Sequence, residues 1–169
     1  MRTVLTVVMP GLMTASALAG DMDVSIEIPR LNVAEYHRPY VAAWIEDKNR
    51  KHVANLAIWY DIDLPKKEGE TWLKDLRQWW RKSGRSLKLP VDGVSGPTQP
   101  VGEHTVSLPM GSGPVANLTE GEYTLVVEAA REVGGREMVH IPFTWPLEAG
   151  TLEAAGTSEL ATIKLTIKP

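Results

Sequence analysis

Seven segments of this chain carry β-type patterns, and turn residues or Gly- and Pro-rich stretches separate them, which constrains the fold more than any other feature. Asp23 to Pro29 alternates apolar and polar residues, as a half-buried strand does. Tyr40 to Glu46 and His52 to Tyr60 are more apolar, and the polar turn between them predicts a hairpin. The other predicted strands are His104 to Leu108, Glu122 to Arg131, Glu137 to Thr144 and Leu160 to Ile167.

About seven strands joined by turns predict an all-β fold, a sandwich of two sheets, with a small closed barrel as the alternative. Three Gly- and Pro-rich stretches are predicted to be loops: Asp92 to Gly102, Pro109 to Thr119 and Pro146 to Thr157. Glu70 to Lys82 instead follows a helical period, which places five residues on one face: Trp72, Leu73, Leu76, Trp79 and Trp80. We therefore predict one inserted amphipathic helix, whose Trp-bearing face packs on the sheet.

The N-terminal residues have the pattern of an export signal. Arg2 precedes an uncharged run from Val4 to Leu18, and Ala17 to Ala19 form an A-x-A cleavage site. A transmembrane anchor is the alternative, but the run is shorter than the roughly 20 apolar residues that span a bilayer. We predict a cleaved signal peptide over residues 1–19, a periplasmic location, and a single domain over residues 20–169.

The composition argues against several classes of function. The chain has 18 basic and 21 acidic side chains, whereas nucleic-acid binding requires a concentrated basic patch. It contains no cysteine, so disulfides, thiolate metal sites and a cysteine nucleophile are excluded. No Gly-x-Ser-x-Gly elbow, phosphate-binding glycine loop or zinc signature is present, so nothing in the sequence indicates a stand-alone enzyme.

One seven-residue segment, Asp92 to Thr98, resembles the sequence at which flavin transferases attach FMN through a phosphoester to a Thr or Ser hydroxyl. That pattern reads Asp, two variable residues, Ser or Thr, Gly, Ala, and then the acceptor. Pro97 stands where the pattern has Ala. Four residues match in type and spacing: Asp92, Ser95, Gly96 and Thr98.

The residue types in this segment suit flavin attachment. Thr98 supplies the hydroxyl, and small residues such as Gly96 let an enzyme approach an exposed loop. Pro97 fixes φ and lacks an N–H, so it could hinder a strand-like fit in the transferase. Asp-Gly and Ser-Gly-Pro are also common in turns, so a plain turn is the alternative interpretation.

Five segments on either side of Asp92 to Thr98 are distinctive. They are an aromatic-rich strand, a Trp-rich helix and three motifs: Leu56 to Tyr60, Trp72 to Arg85, Pro100 to Thr105, Gly121 to Leu125 and Glu128 to Glu132. In these segments, which follow the same order along nearly all of the mature chain, the sequence resembles domain-of-unknown-function family 2271, a periplasmic family.

This resemblance implies an immunoglobulin-like antiparallel β-sandwich behind a signal peptide. It also implies a setting among PepSY-type membrane proteins, flavin transferases and iron-uptake components. In that setting Thr98 would hold covalent FMN and the protein would pass electrons.

Histidine spacing does not indicate a metal site, since no pair has i, i+4 or His-x-His spacing. We interpret His52 and His140 as hydrogen-bonded residues of strands. His104 lies six residues beyond Thr98 and is a candidate for contact with a flavin, with a structural role as the alternative.

Two further groups are candidates for the site. Asp61 and Asp63 alternate after a strand and could serve in acid–base chemistry or cation binding, or simply be charged residues at a strand end. Trp72, Trp79 and Trp80 could stack on a flavin ring, although their helical spacing favours core packing. Adjacent residues diverge by about 100° on a helix, so we expect Trp79 or Trp80 to be only partly buried and to be the stacking candidate.

Two functions follow as hypotheses. The first is an electron-transfer protein with covalent FMN on Thr98, loaded by a flavin transferase and serving a PepSY-type membrane reductase in iron acquisition. The second is a cofactor-free periplasmic binding or adaptor module. The intact mass of the exported protein separates them.

Overall fold

The computed structural model describes residues 20–169, which form nine β-strands and a short helical region. The strands are β1 (Asp21–Ile28), β2 (Tyr40–Asp47), β3 (His52–Tyr60), β4 (Ser95–Pro97), β5 (Gly102–Pro109), β6 (Gly121–Ala130), β7 (Arg136–Trp145), β8 (Gly150–Ala155) and β9 (Thr162–Lys168). Two short helices follow β3: α1 (Glu68–Trp72) and α2 (Arg77–Lys82). Short 3₁₀ turns lie at Pro65–Lys67, Leu73–Asp75, Gly84–Ser86 and Gly113–Val115.

The predicted signal peptide and its cleavage site after Ala19 lie outside the described residues. Within residues 20–169, no helix is long and apolar enough to cross a membrane.

The strands form two sheets that pack face to face. One sheet has the order β5-β1-β9-β8 and the other β4-β3-β2-β6-β7, and all neighbours are antiparallel except β3 and β4. Val24, Ile26 and Ile28 of β1 are buried in the core between the sheets, as their alternation predicted. The two-sheet β-sandwich is therefore confirmed, and the closed barrel is wrong.

Strand β2 is buried on both faces, which explains its continuous apolar sequence. Val41 and Ile45 belong to the core between the sheets, whereas Tyr40 and Trp44 belong to a second hydrophobic cluster on the opposite face. The helical region covers this second cluster with three fully buried side chains: Leu73, Leu76 and Trp79. Each large apolar side chain buried in this way contributes about 1.5–3 kcal/mol, so apolar packing holds the helical region on the sheet.

The prediction of one continuous helix over Glu70 to Lys82 is wrong, because this segment is divided into two short helices. The chain leaves helical geometry at Leu76 (φ -75°, ψ 71°), which separates α1 and the following 3₁₀ turn from α2. Because the helical period does not run through this break, Trp72 is 54% exposed while Trp79 is fully buried. Trp80 is half-buried beside Trp79, in agreement with the expectation that one of the two is only partly buried.

A buried carboxylate from the sheet fixes the start of α2. Glu128 on β6 is fully buried and accepts hydrogen bonds from the backbone N–H groups of Gln78 at 3.1 Å and Trp79 at 2.8 Å. Arg136 Nη1 also donates to it at 2.8 Å, which pairs the buried charge. Helix α2 has no side-chain cap from the residue before it, so Glu128 satisfies N–H groups that would otherwise lack partners.

Two strands lie in segments that were predicted to be loops. Strand β4 lies within residues 92–102, and β8 lies within residues 146–157. Both are at the edge of their sheet. Edge positions tolerate Gly and Pro because one side of the strand makes no ladder hydrogen bonds, so composition does not reveal such strands.

Glu137 on β7 stabilises the turn between β8 and β9. Its carboxylate accepts hydrogen bonds from the backbone N–H groups of Thr157 at 2.6 Å, Ser158 at 3.0 Å and Leu160 at 2.9 Å. Burial alone would raise the pKa of Glu137, but these hydrogen bonds favour the ionised form and lower the pKa to about 2.

Candidate functional site

The segment that resembles a flavin attachment sequence runs along the edge of the five-stranded sheet. It begins with exposed Asp92 in a turn, where Ser95 Oγ accepts a hydrogen bond from the N–H of Val91 at 2.9 Å. It continues as β4, whose last paired residue, Pro97, lies opposite Tyr60 of β3. The motif is therefore an edge strand as well as a turn, and its prediction as a loop is wrong in this respect.

The glycine of the motif with a positive φ is Gly93, and not Gly96 as the sequence suggested. Gly93 has a φ of 68°, in the left-handed region that favours glycine. Gly96 does not have such a φ, and a Cβ added there would lie 3.7 Å from Trp59 Cδ1, an ordinary van der Waals contact. The fold itself therefore has room for a side chain at Gly96.

Thr98 lies directly after β4 and is almost completely buried, with 9% of its surface exposed. This corrects the expectation that the acceptor lies in an exposed loop. The hydroxyl of Thr98 donates to Asp61 Oδ1 at 3.3 Å, and the hydroxyl of Tyr40 donates to Asp61 Oδ2 at 3.3 Å. The carboxylate of Asp61 thus accepts hydrogen bonds from two hydroxyl groups, one at the start of β2 and one directly after β4.

Thr98 lines a cleft with a volume of about 860 Å³. The walls come from the segment before β2, the region after β3, and the hairpin between β6 and β7. Ligand pockets typically measure about 300–1,000 Å³, so the cleft has room for a cofactor. Of the four matching motif residues only Thr98 lines it, whereas Asp92, Ser95 and Gly96 do not.

Exposed apolar side chains are concentrated at this cleft. Seven large hydrophobic residues are exposed on the described part of the protein, and four of them line the cleft: Tyr36, Leu64, Trp72 and Val133. The ammonium group of Lys74 lies 5.7 Å from the centre of the Trp72 ring, within cation–π range. Such a group of exposed aromatic and aliphatic residues is typical of a binding surface.

The cleft also carries charges of both signs, with arginines in excess. Three carboxylates line it, together with four arginines: Arg38, Arg77, Arg131 and Arg136. The guanidinium of Arg131 is buried and donates to Glu159 in two hydrogen bonds of 2.8 and 3.1 Å. Its Nη1 is buried without an acceptor among the described residues.

Burial governs the protonation of Tyr40, which lines the cleft. Burial, together with the charge of Asp61, raises the pKa of Tyr40 to about 12. The phenol therefore stays protonated at neutral pH and remains a hydrogen-bond donor to Asp61.

The structure assigns His104 a packing role and does not place it in the cleft. Its ring packs edge-on against Trp59 at 6.0 Å, and its Nε2 lies 2.7 Å from the carbonyl oxygen of Pro100. His52 was interpreted as a hydrogen-bonded strand residue, which is wrong, because its Nε2 is buried without a partner within residues 20–169. Among the same residues no group of three or more His, Asp or Glu side chains is placed to hold a metal ion.

The tryptophan predicted to stack on a flavin is not the one that lines the cleft. The stacking candidate was Trp79 or Trp80, but Trp72 is the one that lines the cleft, because the break at Leu76 turns it away from the core. Tyr36 and Tyr40 were missed, since no local motif marks them, and Arg131 was given no role although it lies in the Glu128 to Glu132 motif. Asp61 was noticed only as one of two alternating carboxylates, and its neighbour Asp63 does not line the cleft.

Comparison with known proteins gives a match to a family model. A model of the family described as predicted periplasmic protein (DUF2271) matches residues 21–162, which is most of the chain. No curated protein and no solved structure matches. The chain therefore belongs to the DUF2271 family of predicted periplasmic proteins.

Proposed function

We propose that this protein is an electron-transfer domain that carries FMN covalently attached to Thr98. One observation carries the proposal: the acceptor residue of a flavinylation-like motif lies in the wall of a cleft that presents aromatic and arginine side chains. When bound, FMN supplies the redox chemistry of its ring system. The residues of the cleft would hold and orient the ring and limit its contact with water.

The volume of the cleft and the side chains that line it support the binding of FMN. A volume of about 860 Å³ lies in the upper part of the usual range for ligand pockets. Tyr36 and Trp72 offer exposed aromatic surfaces against which a flat ring can pack. Arg38 and Arg77 are exposed cations that line the cleft and suit the negative phosphodiester.

The location and the partners complete the proposal. Export by a cleaved signal peptide over residues 1–19 would place a single domain, residues 20–169, in the periplasm, and the family description supports that compartment. A flavin transferase would load the protein, and a PepSY-type membrane reductase would exchange electrons with it in iron acquisition. The setting implied by the family resemblance supports both partners.

Co-expression with an active flavin transferase from the same genome tests the proposal, with intact mass and in-gel fluorescence as readouts. A phosphoester survives denaturation, so the wild-type protein should give a fluorescent band on a denaturing gel. Thr98→Val keeps the shape and removes the hydroxyl, so it should abolish the band. Ser95→Ala tests the other hydroxyl of the motif as an alternative acceptor: a band that persists in Thr98→Val and disappears in Ser95→Ala would move the attachment to Ser95. An unmodified wild-type mass would contradict the proposal.

A cofactor-free binding module is the second candidate, and the burial of Thr98 favours it. The hydroxyl already has a partner in Asp61, and only 9% of the surface of Thr98 is open to an approaching enzyme. In that case the exposed side chains of the cleft, Trp72 foremost, would bind a ligand or partner directly. Unmodified wild-type protein in the co-expression experiment would favour this candidate.

A further inference from the structure

We propose that Asp61 accepts the proton of the Thr98 hydroxyl when the flavin phosphoester forms, and that Tyr40 positions Asp61 for this step. The inference rests on the proposed function, because it concerns the attachment of FMN to Thr98. It gives a chemical role to two residues that lie outside the attachment motif and far from it in sequence.

The parallel pairing of β3 with β4 is what brings the two reacting groups together. The pairing ends with Tyr60 opposite Pro97, so Asp61 directly follows β3 and Thr98 directly follows β4. Thr98 Oγ1 donates its hydrogen to Asp61 Oδ1 at 3.3 Å. The carboxylate therefore already accepts the hydrogen that the oxygen must lose in order to act as a nucleophile.

Tyr40 holds the second oxygen of the same carboxylate. Its hydroxyl donates to Asp61 Oδ2 at 3.3 Å. Because burial raises the pKa of Tyr40 to about 12, the phenol remains a hydrogen-bond donor even in alkaline solution. Because one carboxylate oxygen is engaged by Tyr40, the other remains directed at Thr98.

The surroundings of Asp61 suit the transfer of a proton to solvent. Asp61 is exposed and lines the cleft, whereas Thr98 is almost completely buried. Asp63 lies two residues further along, is also exposed, and does not line the cleft. The two carboxylates thus share their type and their exposure but differ in contact with the nucleophile.

The step balances without oxidation or reduction. Oγ of Thr98 forms a bond to the phosphorus of the FMN half of a flavin dinucleotide that the transferase holds. The bond from that phosphorus to the second phosphate breaks, and a nucleoside monophosphate leaves with the electron pair. The proton of Thr98 passes to Asp61 and then to water. A general base placed in this way contributes about 10²–10⁴-fold to the rate.

The test is the rate at which a purified transferase labels the purified protein, with flavin adenine dinucleotide as donor. Asp61→Asn keeps the size and the hydrogen-bond acceptor but removes the base. We expect it to lower the maximal labelling rate on the order of 100-fold, with KM for the acceptor protein and the thermal unfolding temperature unchanged. Asp63→Asn makes the same change of charge and should label at the wild-type rate. Tyr40→Phe should lower the maximal rate by a smaller factor.

The outcomes separate this inference from the function on which it rests. Equal maximal rates for Asp61→Asn and Asp63→Asn would overturn the role of Asp61 and leave the attachment at Thr98 standing. A fall caused only by a higher KM or by unfolding would also overturn it, because docking or folding would then explain the loss. Wild-type protein that is never labelled would refute the proposed function, and the inference with it.

Discussion

Replacing Trp79 by alanine should destabilise the protein far more than the same replacement at Trp72. Trp79 is fully buried, and its indole N–H donates to Asn55 Oδ1 at 2.8 Å, whereas Trp72 is 54% exposed. Truncating a buried Trp costs about 3–5 kcal/mol, and leaving Asn55 without its donor adds about 1 kcal/mol or more. Trp72→Ala removes few core contacts and should cost less than about 1 kcal/mol, because surface substitutions usually have small effects.

Urea unfolding followed by far-UV circular dichroism measures this difference. Unfolding free energies of small proteins fall by about 1–3 kcal/mol for each molar urea, so a loss of about 4 kcal/mol in Trp79→Ala lowers the midpoint by about 2 M. The midpoint of Trp72→Ala should stay close to that of the wild type. Equal, small shifts for both variants would refute the packing of α2 on the sheet. Equal, large shifts would refute the exposure of Trp72.

Three further predictions concern other parts of the chain. Glu137→Gln should cost about 1–2 kcal/mol at pH 7, after allowance for solvent screening. Because the pKa of Glu137 is lowered from 4.5 to about 2, its stabilisation is complete above pH 4.5 and is lost as the pH falls through 2, so acid titrations of the variant and the wild type should converge. Pro97→Ala should be labelled faster than the wild-type protein in the transferase assay, and equal rates would show that the proline does not hinder the transferase. N-terminal sequencing of exported protein should begin at Gly20, and a retained Met1 would exclude cleavage after Ala19.

The seven longest β-type patterns predicted their strands to within two residues at each end, because burial imposes those patterns directly. In β1 the alternating apolar residues lie in the core between the sheets, and in β2 apolar residues are buried on both faces, so apolar residues stand where the fold requires them. The continuity of the helix was not predictable in the same way. After the break at Leu76, α2 is capped from the sheet by Glu128, a carboxylate about fifty residues away, and no local pattern encodes that contact.

The candidate site was predictable only in part for a related reason. The motif singled out Thr98 from local sequence, whereas its other matching residues, Asp92, Ser95 and Gly96, do not line the cleft. The partners of Thr98 come from a long-range strand pairing, and no local pattern encodes that Asp61 lies beside it. Residues of a cleft are brought together by tertiary contacts, whereas those of a motif are neighbours in sequence.

The position of Pro97 in β4 is the reason we expect Pro97→Ala to change the labelling rate and leave the fold intact. The N–H of Ile58 donates to the carbonyl oxygen of Val94 at 3.0 Å, so the backbone of Val94 faces β3. Backbone groups alternate in direction along a strand, which turns Gly96 toward β3 as well and Pro97 away from it. The missing N–H of Pro97 therefore removes no hydrogen bond from the sheet. It does remove a donor from the free edge, where an enzyme that binds the segment as an added strand would need one.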